Sequence, residues 1–445
     1  MRWTFRDTLV ISWLLFAAPV WAQSQGTPTN PGATLSLKEA ITLALAKHPV
    51  IAMATHALRA GEARVGQARA PYYPQIGASS IETFGSLRAN AYLRPSGSLI
   101  QPNQSDFTAG LTASQLITDF GQTRYRLEAA RLAAQALGED VLVQKALVTL
   151  NVQKAYYEAL KRQRLVDIAE KTVQERELIK QQVESLFRQQ LKAKLDLDLV
   201  QVELSNAGVS LIQARNNLQA SFAALHNAIG LTGPAAYTLQ EPPSIGEERR
   251  SLDRLLEIGV ENRPEMTAIR ERISAAEQRV KAAYRQNFPT IQAVGSAGDT
   301  EQLAGRPKVR EGGWWGAGVV VSVPLFTGFL IQHQVEEANA QLQEAQANAR
   351  NLAQAVQLEI TNAYLNVQTL VQQAKALEEV VNQTKEALQL AQERYRLGLS
   401  SVVEVTQGEV ALTTAETNLA EAQYNYKAGE ALLSYAVGEE AWRSF

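Results

Sequence analysis

The sequence of 445 residues predicts a duplicated fold of the α plus transmembrane-β class, in which each copy supplies two membrane strands and a long helical hairpin. The same helix break, an aromatic residue followed by Arg, occurs at Phe187 and again at Tyr395, 208 positions later. Segments of roughly ten residues alternate apolar with small or polar side chains, as strands do when one side faces lipid. A heptad pattern recurs in both copies and indicates coiled-coil helices.

The first 22 residues have the pattern of a secretory signal peptide, with a basic start, a short apolar core and small residues before a cleavage site. These features are Arg2 and Arg6, the stretch from Leu9 to Ala18, and Val20 and Ala22. A buried apolar helix is the alternative, but a polar linker, residues 23–34, follows directly. No later segment approaches the ~18 apolar residues that a membrane helix needs, so we expect an exported protein without a spanning helix.

Two offsets align the copies, and together they define the predicted domains. An offset of 208 aligns the stretch that begins at Ala109 with the one that begins at Ala317, and an offset of 215 aligns Ser36 with Ser251. The change of offset leaves seven extra residues in the first copy between Ile81 and Phe107, a loop that we expect to face outside the cell. The predicted domains are repeat 1 (35–230), a linker (231–250), repeat 2 (251–438) and a short tail (439–445).

Within each repeat the predicted strands come before the long helix. The segments around Phe107 and Trp315 alternate apolar with small or polar residues, and their expected partners begin at Gln75 and Thr290. A strand of a soluble sheet is the alternative. Phe107, Trp314 and Trp315 stand at strand ends, where we expect membrane-interface aromatics, although the two tryptophans could also belong to a core.

The predicted helices follow one seam of heptad positions that is present twice. No proline interrupts the chain from Gly121 to Phe187, and about 67 helical residues would extend about 100 Å. The seam positions of the first copy are Val148, Val152, Ala155, Ala159, Arg162, Val166, Ala169 and Val173, and the residues 208 positions later are all apolar. Long helices that end at matching breaks predict hairpins packed side by side.

Four strands in one chain cannot close a membrane sheet. Free strand edges would leave backbone groups unpaired in lipid, at several kcal/mol each, and the smallest closed barrels have about eight strands. The chain must therefore oligomerise, and periodicity alone does not choose between two copies and three.

The ordered set of features resembles the TolC-type outer-membrane efflux family, the outer-membrane factors. The features are the signal peptide, the strand pairs, the segment from Ser114 to Ala130 with its partner from Ser322 to Ala338, and the aromatic-x-x-Gly-x-Ser break at Tyr395. The resemblance implies a homotrimer whose 12-stranded barrel crosses the outer membrane of a Gram-negative bacterium and continues as a periplasmic α-helical barrel. It also implies a passive duct for tripartite efflux or type I secretion. The expected partners are a periplasmic adaptor (membrane fusion) protein, an inner-membrane pump of RND, ABC or MFS type, and outer-membrane lipid.

The resemblance also implies roles for the two breaks, as the tips of periplasmic hairpins. The expected gate residues are Phe187, Asp196, Tyr395 and Glu404, and the expected adaptor-docking residues are Leu191, Leu397, Gly398, Leu399 and Ser400. The chain departs from the family pattern at Gln190, where Gly is usual, at Ser400, where a basic residue is common, and at Gln407, where a second acid is expected. Tyr395 could instead anchor the turn, and the acids could be solvated charges favoured by a helix dipole.

The composition excludes several other classes of function. The 43 basic and 45 acidic residues give no basic excess for a nucleic acid partner, and the absence of cysteine excludes disulfides, cysteine metal sites and a lipid-anchored N-terminal Cys. The four histidines have no metal spacing, so we expect no metal, no cofactor and no enzyme activity. A structural periplasmic coiled-coil protein without channel activity remains the alternative to a duct.

Overall fold

The computed structural model describes residues 34–86, 103–232, 237–241, 250–304 and 312–439. The predicted signal peptide and the middle of the predicted outward-facing loop lie outside these ranges. Two short parallel strands, β1 (Thr34–Leu35) and β4 (Thr238–Leu239), pair with each other. The remaining elements occur twice in the same order.

The helices of the two copies have matching lengths and matching bounds. Repeat 1 contains α1 (Leu37–Lys47), α2 (Pro49–Arg69), α3 (Gln122–Arg188) and α4 (Lys194–Ile229), and repeat 2 contains α5 (Leu252–Asn262), α6 (Pro264–Tyr284), α7 (Leu330–Arg396) and α8 (Val402–Val437). α3 and α7 each have 67 residues, which corresponds to about 100 Å of helix. The bounds of α7 and α8 lie 208 positions after those of α3 and α4, as the sequence offset predicts.

The four long strands form one antiparallel sheet in the order β2, β3, β5 and β6. They are β2 (Gln75–Ser86), β3 (Asn103–Thr118), β5 (Thr290–Ala304) and β6 (Gly312–Ser322). β2 and β5 begin at the predicted residues, and the contact between β3 and β5 joins the two repeats. Within the described residues, β2 and β6 form the two edges of the sheet, so the sheet is open.

The helices form a layer that continues from the sheet. Near the strands, α2 packs on α3, α3 on α6 and α6 on α7, and farther away α4 packs on α3, α3 on α8 and α8 on α7. The predicted seam lies inside this layer, since every seam residue of α3 and its equivalent in α7 is buried or half-buried. Val152, Ala159 and Ile360 are completely buried. The heptad pattern therefore predicted the packed faces of both long helices correctly.

Three clusters of buried side chains hold the layer together. The largest surrounds Tyr156 of α3, whose hydroxyl lies 2.8 Å from the carbonyl oxygen of Leu35 and 2.7 Å from that of Gln240. Its single proton is shared between these two acceptors, which fixes the β1–β4 pair on the helices. A second lies where α5 meets α7 and α8, around Leu255 and Ile360. The third joins the ends of the two hairpins, far from the sheet.

Among the described helices, none alone has the length and apolar composition to span a membrane. Two consecutive helical segments that meet at a bend, Leu37–Lys47 and Pro49–Tyr72, reach the required length and apolar composition only when they are taken together.

Candidate functional site

The two hairpin turns have the same backbone structure. After α3, the N–H groups of Gln190 and Leu191 donate to Phe187 (2.9 Å) and Leu186 (2.9 Å). After α7, the N–H groups of Gly398 and Leu399 donate to Tyr395 (3.0 Å) and Arg394 (2.9 Å). Each turn is a Schellman motif, which requires one residue in the left-handed conformation.

Gln190 and Gly398 are the left-handed residues, with φ angles of 58° and 73°. Glycine adopts this conformation without steric cost, whereas a residue with a Cβ loses about 1–2 kcal/mol. Gln190, where the family usually has Gly, therefore keeps the hydrogen-bond pattern of the turn but adds backbone strain to it.

Tyr395 lies in the cluster that joins the two hairpin ends. Its ring is buried with Val183 of α3, Val200 of α4 and Val402 of α8. The ammonium of Lys192, in the first turn, lies 4.4 Å from the centre of the ring. Burial, together with the nearby carboxylate of Asp196, raises the pKa of Tyr395 above its ordinary value. The structure thus brings Asp196, Lys192 and Tyr395 together, as a gate or an anchor would need.

The Tyr395 hydroxyl is buried and has no hydrogen-bond partner among the described residues. A buried hydroxyl without a partner contributes no favourable hydrogen bond to the fold. Phe187, which occupies the equivalent position after α3, is exposed and lies outside the cluster. The two aromatic residues at the breaks therefore have different surroundings.

Asp196 and Glu404 occupy equivalent positions in the first turns of α4 and α8. A carboxylate is stabilised there by the helix dipole, so their positions also fit the simpler alternative. Glu404 is half-exposed and its Oε1 lies 3.5 Å from Nε of Arg394. Sequence reasoning missed Arg394, although it directly precedes the aromatic residue at the break. The pair offsets part of the negative charge of Glu404.

The expected docking residues form an apolar tip. Leu191, Leu397 and Leu399 are all exposed at the two turns, while Ser400 is half-buried. The two turns end hairpins that share one buried cluster, and an exposed apolar surface of this kind is typical of a site that another protein covers. The structure therefore places the predicted docking residues on one accessible end of the molecule.

A buried ion pair, which sequence reasoning also missed, joins the hairpins of the two repeats. Arg176 of α3 and Glu409 of α8 approach to 2.7 Å, and their side chains are only 6% and 5% exposed. Burial raises the pKa of Glu409 to about 7, with smaller contributions from Glu175 and Glu203 in the same direction, while Arg176 opposes them. Arg176 is the next seam position after Val173, so a charged residue in an apolar seam was the available signal.

The three strand-end aromatics do not share one environment. Trp315 is 83% exposed, whereas Trp314 is 39% exposed and lies over neighbouring strands. Because successive strand residues point to opposite faces, the two tryptophans cannot both face lipid. At the other end of the sheet, sequence reasoning missed a set of exposed aromatics where strands meet helices. They are Tyr72, Tyr73, Phe120, Tyr284, Phe326 and Phe329.

The described residues contain no group of three or more His, Asp or Glu side chains placed to hold a metal ion.

Comparisons with known proteins agree with this architecture. The sequence profile of the outer membrane efflux protein family matches residues 40–231 and 255–439. Outer membrane protein TolC of Salmonella enteritidis is 23% identical over 390 residues, which cover 84% of this chain and 76% of TolC. Protein CyaE of Bordetella pertussis is 26% identical over 367 residues, which cover 79% of this chain and 73% of CyaE. The structure of outer membrane protein VceC of Vibrio cholerae superposes with a TM-score of 0.75 at 24% identity, covering 90% of this chain and 96% of VceC.

Proposed function

The chain belongs to the outer membrane efflux protein family, and from this premise we propose that three copies form a passive duct that carries cargo from the periplasm to the outside. The protein is an outer-membrane efflux or secretion duct with a large periplasmic helical portion. In this proposal the chain contributes no catalytic residue, and partner proteins supply the driving force.

One observation carries the proposal: the sheet of a single chain is open at two different edges. β2 forms one edge and β6 the other. Two unlike edges pair in a head-to-tail manner, which generates a ring when the rotation closes. Three copies give twelve strands, the number that the resemblance implies, and closure pairs the backbone groups that lipid could not satisfy.

The flanks of the helical layer support the same closure. α4 exposes Val202, Val209 and Ile212 at one side, and α7 exposes Leu358, Leu365 and Leu390 at the other. If β6 of one copy pairs with β2 of the next, α7 lies beside the neighbour's α2 and α4 and these apolar side chains become covered. Twelve helices would then enclose a tunnel that continues the barrel.

The lipid-facing side of the sheet disfavours a soluble coiled-coil protein. Ile76, Leu111, Trp315, Val319 and Val321 are all exposed in the single chain. Together they form a broad apolar surface, which a soluble periplasmic protein rarely leaves uncovered. A surrounding lipid bilayer accounts for it directly.

We further propose that the apolar tip docks a periplasmic adaptor protein, which links the duct to an inner-membrane pump of the RND, ABC or MFS type. Leu191, Leu397 and Leu399 supply the exposed contact surface. The gate is proposed at the same end, with Tyr395 and Asp196 meeting inside it and Phe187 on its outer side. The pump and adaptor select the cargo.

The domain division into repeat 1 (35–230) and repeat 2 (251–438) is also a proposal. It is supported by the matching element bounds and by the two separate stretches that the family profile covers.

The proposal is tested on protein purified from outer membranes in detergent. We expect native mass spectrometry to give a trimer and planar bilayers to show discrete current steps. A monomer that keeps its β signal in circular dichroism, or a soluble periplasmic pool that gives no current, would contradict the duct and favour the coiled-coil alternative.

A further inference from the structure

Trp314 lies on the polar face of the sheet. It pairs with Gly298, which pairs with Gly110, and Gly110 pairs with Ser79, so these residues form one row across the four strands. Residues directly opposite each other in an antiparallel sheet point to the same face.

The composition of the two faces differs. The face of Trp314 carries the neighbouring row in which Thr108 and Thr300 hydrogen-bond at 3.3 Å, and a further row with Thr112 and Ser296. The opposite face carries Leu111, Trp315 and other apolar residues. In a closed barrel the polar face lines the lumen. Trp314 is therefore a luminal residue, while Trp315 faces lipid.

Two glycines leave room for the indole of Trp314 against the neighbouring strands. A Cβ placed on Gly298 would stand 2.6 Å from Cζ2 of Trp314, and a Cβ placed on Gly110 would stand 3.2 Å from the same atom. A Cβ at Gly298 would also stand 2.5 Å from the carbonyl oxygen of Ala109, so a side chain there would meet both the backbone and the ring. The ring thus spans β5 and β3 because both positions lack a side chain.

Acidic residues on the opposite face of the sheet show how far Trp314 lies from the middle of the membrane. Asp299 follows Gly298 towards the loop end, and Glu301 pairs with Phe107 two residues farther on. These acids share the face of Leu111 and Trp315, so the apolar band ends where they begin. Trp314 consequently lies at the outer mouth of the lumen.

We propose that the three Trp314 rings of a trimer form an aromatic contact belt at the exit of the duct, which binds planar aromatic cations transiently as they leave. This inference rests on the proposed trimeric duct and adds a contact residue for departing cargo at its exit. A flat indole face attracts a planar cation by stacking and by its quadrupole. The exposed part of the ring remains available for that contact.

The first test asks whether Trp314 faces the lumen and Trp315 faces lipid. The chain has no cysteine of its own, so single cysteine substitutions can be labelled selectively. Trp314→Cys and Trp315→Cys are inserted in planar bilayers and treated with a charged, membrane-impermeant thiol reagent. We expect a stepwise fall in conductance for Trp314→Cys and no change for Trp315→Cys. A response of Trp315→Cys alone would overturn the assignment.

The contact role is tested with ethidium, a planar aromatic cation, as the probe in single-channel recordings. Ethidium is expected to cause brief current blocks, and Trp314→Leu is expected to weaken this binding about three- to tenfold. Trp314→Phe should keep most of it, and Trp315→Leu is the matched control that should keep all of it. Equal blocking in wild type and Trp314→Leu would overturn the proposal and leave Trp314 as a filler of the glycine gap.

If Trp314→Leu does not assemble, Trp314→Phe decides, since its smaller ring should weaken blocking measurably but less than the loss of the ring. Blocking equal to that of wild type in Trp314→Phe would then overturn the proposal. The two levels of failure are distinguishable. A wild-type protein without current steps contradicts the duct itself, whereas normal currents that are indifferent to Trp314 contradict only the aromatic belt.

Discussion

Arg176 and Glu409 form an ion pair of 2.7 Å between the hairpins of the two repeats, with both side chains almost fully buried. Around it, Lys171 pairs with Glu416 at 3.1 Å, on the same two helices, α3 and α8. Near the tips, the contact between the repeats therefore combines these ion pairs with the apolar cluster that contains Val183 and Tyr395. The stability of this contact therefore depends on which of these charged side chains are present.

Removing one member of the buried pair should destabilise the protein more than removing both. Arg176→Met leaves the Glu409 carboxylate buried without a counter-charge, and at pH 8 we expect a loss of about 3–5 kcal/mol. The double variant Arg176→Met with Glu409→Leu should recover most of that loss. Chemical unfolding in detergent, followed by circular dichroism, measures both, and equal losses in the single and double variants would contradict the account.

The pH dependence of stability should follow Glu409. Its pKa is raised from 4.5 to about 7 in the folded chain, so the folded state holds the proton more tightly than the unfolded state. The stabilisation is therefore complete below about pH 4.5 and is lost as the pH rises through about 7. As the pH rises across this interval, we expect the unfolding temperature of wild type to fall relative to that of Glu409→Gln. A difference between the two unfolding temperatures that stays constant with pH would show that the Glu409 carboxyl does not titrate there.

Substitution of Gln190 should relieve backbone strain, whereas substitution of Gly398 should introduce it. Gln190→Gly should stabilise the protein by up to about 1 kcal/mol, since it removes the strain of a Cβ in the left-handed conformation.

Gly398→Val introduces that strain at the second tip. We expect Gly398→Val to leave trimers in the membrane but to lower drug resistance in cells that depend on this duct. Unchanged resistance, with the adaptor still cross-linking at the tip, would contradict the docking role.

Tyr395→Phe should separate the roles of gate and anchor. The hydroxyl has no partner among the described residues, so its removal should neither destabilise the protein nor change the single-channel conductance. Tyr395→Ala removes the packed ring and should cost about 3–5 kcal/mol. A higher conductance in Tyr395→Phe would show that the hydroxyl itself holds the gate.

The repeat offset and the heptad seam predicted the long helices and the turns, because backbone periodicity dictates both. Sequence patterns could not locate contacts between residues far apart in the chain. Arg394 with Glu404, and Arg176 with Glu409, depend on how the helices are rotated about their axes. Position at a strand end predicts one environment for the adjacent tryptophans, although the pleat of a strand separates Trp314 from Trp315. The roles of the gate and docking residues stay predictions.

The central claim is that the hairpin tips form the constriction of a passive duct, and single-channel recording under a salt gradient tests it most directly. Wild type is expected to give small, cation-selective currents, since Asp196 and Glu404 would place six carboxylates around the opening of a trimer. The variant Asp196→Ala with Glu404→Ala should raise conductance and shift the reversal potential towards zero, with Asp196 dominating because Glu404 is paired with Arg394. Glu261→Ala, on α5, is the control and should change neither quantity. An unchanged conductance and reversal potential in the double variant would contradict the claim.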